Sequence, residues 1–139
     1  MPYVYAAVDT LVTTPPKANV GTGQCVALIE AYTNVPRPAA VLWKQGAAVR
    51  GNVALQKGTA IATFVDGKYP SHATGNHAAF YIKQDAGGIW VVDQYVSRSG
   101  QQSGITERYL RFKGTITGKD GKVHYLDPSN NGDAFSVIE

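Results

Sequence analysis

The chain has 139 residues, of which 44% are hydrophobic and 17% charged, with a formal net charge of +3. That length and balance fit one globular domain spanning 1–139 and exclude a disordered tail or a fibrous repeat. The 13 Lys and Arg residues are scattered, so no nucleic-acid arm is expected. No apolar stretch reaches the roughly 20 residues of a membrane helix.

In chain order, Tyr3 to Thr13 reads as a short strand or arm, bounded by Pro15-Pro16 and Gly21-Thr22-Gly23. Met1 to Pro16 lack the basic start and small-residue cleavage site of a signal peptide, so export by the ordinary route is not expected. The segment CVALIEAY, Cys25 to Tyr32, is rich in helix formers; Thr22 or Gly23 is the expected cap, which puts Cys25 in the first turn. Pro36 and Pro38 end that helix. From Ala39 to Val49, the spacing of Ala40, Trp43 and Ala47 predicts a second helix stopped by Gly51.

Beyond Gly51 the pattern turns β-rich. Ala60 to Val65 alternates, and Asp66-Gly67 and Tyr69-Pro70 break it. HAAFYIK (from His77) and IWVVDQYV (from Ile89) flank the loop Gln84 to Gly88 and predict a hairpin. A short polar, helical piece is expected at Thr106 to Leu110. Strands are expected near Arg111 to Thr117, Val123 to Leu126 and Ala134 to Ile138. Helices first and sheet second predict an α+β fold, with N-terminal helices packed on an antiparallel sheet.

One cysteine precludes an internal disulfide, so Cys25 is either packing or chemistry. As packing it is a small buried hydrophobe, the commoner fate of a free cysteine. As chemistry it sits at a helix N-terminus, where the thiolate is favoured and the first amides can hold an oxyanion, with the Gln24 side chain beside them. A base is then required. His77 begins a strand after Gly-Asn, whereas His72 lies in a loop and His124 in a late strand.

The base needs an orienting acceptor, and the next strand offers Asp93 and Gln94. Hairpin register separates them. If Lys83 pairs with Ile89, Ala79 faces Asp93 and the carboxylate shares the histidine's face; a slip by one residue puts Gln94 opposite His77 instead. Tyr81, Trp90 and Tyr95 are candidates to line a substrate groove, although aromatics of a hairpin are more often core. Three histidines and one cysteine, with no His-Glu-x-x-His pattern, give no expected zinc site, and no cofactor is implied.

GQCVALIEAY, GNHAAFYI and IWVVDQY together resemble the CHAP cysteine amidohydrolases and peptidases and their NlpC-type relatives. The resemblance spans about residues 20 to 97. It implies a papain-like fold and hydrolysis of amide bonds in bacterial cell-wall peptides, with Cys25 as nucleophile, His77 as base and Asp93 as third member. CHAP domains often carry Glu and then Asn on that strand, whereas here Asp93 precedes Gln94. The small size and missing leader also resemble amidase effectors delivered by type VI secretion systems to act in the periplasm, which implies a cognate immunity protein. Two other readings use the same residues: a non-catalytic module binding cell wall or a partner protein through its aromatics, and a thiol transferase or deamidase.

Overall fold

The computed structural model describes residues 1–70 and 72–139. Helix α1 (Cys25–Tyr32) forms where helix formers cluster, and its C-cap Thr33 donates its N–H to Ile29 O at 3.0 Å. Its start differs from expectation. Gln24, extended at φ −74° and ψ 161°, is the N-cap, and no side chain bonds the first turn. Thr22 Oγ1 instead accepts from the Gln24 N–H at 3.4 Å. Gly23 takes φ +90°, and a Cβ there would meet Val96 Cγ2 at 3.1 Å, so glycine lets the loop lie against the strand end.

The second helix is much shorter than its spacing predicts. Helix α2 (Ala39–Leu42) stops at Trp43, and Gln45–Ala48 forms an edge strand, β1. Backbone pairing overrides a weak helical pattern here. Lys44 and Glu139 exchange both N–H···O bonds at 2.7 Å. Gly46 lies so close to its neighbour that a Cβ would sit 2.9 Å from Val137 O. Trp43 is buried, with Nε1 donating to Pro36 O at 3.0 Å.

Strands β2 (Ala60–Thr63), β3 (Ala78–Gln84) and β4 (Gly88–Asp93) follow the predicted runs. Thr106–Arg111 is strand β5, where a helical piece was expected; it pairs along β4 from Gly88↔Arg111 to Asp93↔Thr106. Strands β6 (Thr115–Thr117) and β7 (Val123–Tyr125) form a separate ribbon. Strand β8 (Phe135–Ile138) comes last in sequence yet lies inside the sheet. Among the described residues the main sheet is antiparallel and six-stranded, in the order β1-β8-β2-β3-β4-β5.

Two apolar layers cover this sheet. On one face α1 packs on β3, and Leu28 and Ile29 meet Ala62, Ala78, Phe80 and Val92. Burying each of those helix residues contributes about 1.5–3 kcal/mol. The alanines of β2 and β3 leave room for the helix to approach. On the other face Ile61, Ala79, Tyr81, Ile89, Leu110 and Phe135 form the second cluster. The α+β expectation therefore holds. Among the described residues no helix is long and apolar enough to cross a membrane.

The register of the central hairpin changes along its length. Phe80 pairs with Val92 and Tyr81 with Val91, but past an irregularity Lys83 pairs with Trp90 rather than Ile89. At its open end, the hairpin thus has the register that puts Asp93 on the histidine's face.

Candidate active site

Cys25 is the first residue of α1, held over the open end of the β3–β4 hairpin by two side-chain amide tethers, one buried and one half-buried. Gln94, fully buried after β4, accepts from Val20 N–H at 2.8 Å and donates to Val20 O at 3.0 Å and Gln24 O at 2.8 Å. Asn19 donates to Gly23 O and Tyr95 O, both at 3.0 Å. These bonds stitch the loop before the helix to the strand end. Gln94 is thereby occupied away from His77 and does not orient it, a correction to the alternative that placed it opposite the imidazole. Asn19, polar and in an unpatterned loop, gives no sequence signal of this role.

His77 is 5% exposed, and its Nε2 lies 2.7 Å from Asp93 Oδ2. That bond leaves the other ring nitrogen free, and His77 and Cys25 line the same depression, where the imidazole lowers the thiol's pKa and the thiol raises the imidazole's. Asp93 is wholly buried and also accepts from Arg108: Nε at 3.1 and 3.0 Å to the two oxygens, and Nη2 at 2.6 Å to Oδ2. Arg108 comes from β5, opposite Val91, and its guanidinium lies 4.9 Å from the Tyr95 ring centroid. A forked cation on a buried carboxylate fixes its orientation as well as its charge. Arg108 lies in a segment expected to be a short helix, which hid its place beside Asp93.

Burial alone pushes the Cys25 thiol up, but the neighbouring imidazole, the Tyr69 hydroxyl and the Ala78 backbone amide outweigh it, leaving the thiol below its ordinary range. Burial likewise opposes charge on His77, yet Asp93 and Cys25 hold the imidazole protonated up to about 9. Asp93 pays the same desolvation penalty, and His77 and Arg108 still keep its carboxyl below the usual range. Opposite shifts of this kind favour a thiolate–imidazolium pair over neutral partners.

Two depressions flank the sulfur, of about 400 and 510 Å³. They share Gln24, Cys25, Ala73 and Asn76, so the surface forms a groove running past the thiol on both sides. Tyr95, 39% exposed, and Arg108 line the first depression. The other two aromatic candidates lie elsewhere. Tyr81 is buried in the second apolar cluster, and Trp90 stacks on Tyr109 at 4.4 Å with Lys83 Nζ 4.8 Å from its ring, near the closed end of the hairpin. Hairpin alternation sends Tyr81 inward, and the loop end is distant in register from Asp93. His124 is exposed and pairs with Asp120 at 3.0 Å, and His72 borders the second depression. Among the described residues no group of three or more His, Cys, Asp or Glu is placed to hold a metal ion.

Tyr69 and Asn76 complete the surroundings of the thiol. Tyr69 Oη lies 3.6 Å from Cys25 Sγ, and Asn76 Nδ2 donates to Tyr69 Oη at 3.3 Å. Asn76 Oδ1 is buried with no donor among the described residues. Tyr69-Pro70 carries only the signal of a strand break.

Three comparisons bear on this site. The family model of domesticated amidase effector 2 matches residues 13–138. A type VI secretion amidase effector 2 protein of Salmonella typhi is 45% identical over 141 residues, covering 100% of both chains. A solved structure of a type 6 secretion amidase effector 2 (Tae2) superposes with a TM-score of 0.82 at 43% identity, covering 99% of this chain and 94% of that one. With its papain-like α+β fold and a thiol, an imidazole and a carboxylate clustered at the helix start, this chain belongs to the domesticated amidase effector 2 family of amide-bond hydrolases.

Proposed function

We propose that the chain hydrolyses amide bonds in bacterial peptidoglycan peptides, with Cys25 as nucleophile, His77 as acid and base, and Asp93 as the residue that orients His77. The observation that carries this reading is the 2.7 Å bond from His77 Nε2 to buried Asp93 beside a thiol at a helix N-terminus. Between the lowered thiol pKa and about 9 the pair is thiolate and imidazolium. The thiolate attacks the carbonyl carbon. The Cys25 backbone N–H and the Gln24 side chain receive the oxyanion. His77 then gives its proton to the leaving amine, and as a neutral base it draws a proton from the water that releases the acyl enzyme.

A groove on both sides of the sulfur suits a peptide that continues past the cleaved bond in each direction. The relatives are named for type VI secretion. Those names support delivery by such a system, action in the periplasm and a cognate immunity protein, and the family model's span over residues 13–138 supports a single catalytic domain. Purified peptidoglycan digested with wild type and Cys25→Ala, its muropeptides identified by mass spectrometry, tests the reading. Cleavage lost in the variant names both nucleophile and bond. A folded wild type that releases nothing from peptidoglycan but cleaves another amide moves the substrate elsewhere, and one that cleaves no amide leaves a binding module.

A further inference from the structure

The triad leaves unexplained a buried phenol facing the nucleophile. Tyr69 is 5% exposed, its ring packed on Trp43 at 5.1 Å, so its hydroxyl cannot swing to solvent. That hydroxyl lies 3.6 Å from Cys25 Sγ. A thiolate has no proton to give, so in the ionised state the phenol must be the donor. Its oxygen is then free to accept, and the Asn76 amide fills that place at 3.3 Å. Asn76 keeps this orientation although its own Oδ1 has no donor among the described residues, and such an arrangement is most readily explained at a functional site.

Resting on Cys25 as nucleophile, we propose that Tyr69 is a further catalytic residue whose hydroxyl donates to the Cys25 sulfur, and that Asn76 is the positioning residue that aims this proton. Tyr69 Oη then faces the thiolate at 3.6 Å and acts together with the charge of the His77 imidazolium, which also lowers the thiol's pKa. Tyr69 never ionises during turnover. Burial and the adjacent sulfur charge hold its proton on far above the ordinary phenol range. Its task is to stabilise negative charge on sulfur before attack, a demand that ends when the thioester forms.

The test is the pH dependence of Cys25 alkylation by iodoacetamide, read with amide cleavage, in wild type, Tyr69→Phe and Asn76→Leu. Losing a hydrogen bond to a charged group moves the Tyr69→Phe midpoint up by about one pH unit. On the alkaline plateau its rate rises, because a less stabilised thiolate is the stronger nucleophile. Asn76→Leu shifts the midpoint the same way by less. Site-specific 3-fluorotyrosine at position 69, more acidic and nearly the same shape, moves it down, which separates donation from packing. Midpoints identical to wild type in Tyr69→Phe and the fluorotyrosine protein overturn the role of Tyr69 alone. A wild type that titrates as a free thiol, or a Cys25→Ala protein that still cleaves, overturns the nucleophile reading beneath it.

Discussion

The two ends of the β3–β4 hairpin each carry an aspartate, and the two do opposite things. Asp85, exposed in the closed end, accepts from Tyr109 Oη at 2.7 Å and from the Gly87 amide at 2.9 Å, both at the surface, and from the Gly88 amide at 3.0 Å. Asp93, at the open end, is 0% exposed and accepts from His77 and Arg108. Both carboxyls lie below their usual range, Asp85 chiefly through Tyr109, Asp93 through His77 and Arg108 against burial. Water can replace Asp85's partners. Nothing can replace those of Asp93, since a charge stripped of its partner in a dry site is expensive. A lowered carboxylate pKa therefore marks a turn in one place and a buried partner of His77 in the other, and burial separates them.

The comparison breaks most sharply at Asp93. Asp93→Ala leaves two cationic groups unpaired, so kcat/KM falls about a thousandfold and stability by about 3–5 kcal/mol, read by cleavage assay and urea unfolding. Arg108→Gln has a smaller effect, about tenfold in kcat/KM, because its side chain is 26% exposed and water compensates in part. The two variants also differ in pH behaviour.

Wild type should lose kcat/KM as pH rises through about 9, when His77 can no longer protonate the leaving amine. Asp93→Asn removes the anion that holds that proton and moves the alkaline limb down. Arg108→Gln removes a competing cation and moves it up. Stability follows the same sign: the folded pKa of His77 is raised from 6.5 to about 9, so its contribution is complete below pH 6.5 and is lost as pH climbs through 9. Urea midpoints measured at pH 6 and pH 9.5 in wild type and Asp93→Asn check this, and wild type should show the larger fall.

Smaller effects divide the aromatics. Tyr95→Ala, at the open end, raises KM several-fold, whereas Trp90→Ala, stacked on Tyr109 at the closed end, leaves kcat and KM unchanged. Smallest of all, Asp85→Ala loosens the turn, lowers Tm slightly and leaves activity untouched.

Much of this site is legible in the sequence because its chemistry is rare in composition. A lone cysteine heading a helix-forming run, a histidine after Gly-Asn and an aspartate one strand later are unusual enough to be picked out. Tyr69, Asn76, Asn19 and Arg108 are common polar residues in segments marked as breaks, loops or a short helix. Their roles come from distances that no local pattern encodes.

The fold divides the same way. Residue propensity and periodicity determined α1 and the strands β2 to β4, since each signal is complete within about eight residues. Long-range pairing decided the rest: β1 forms instead of more helix because β8 lies beside it, and β8 enters the sheet between β1 and β2 from the end of the chain. The choice of Asp93 over Gln94 was likewise open in the sequence, where a slip of one residue exchanges their faces. Tertiary structure made that choice by holding the open-end register and by binding Gln94 to Val20 and Gln24.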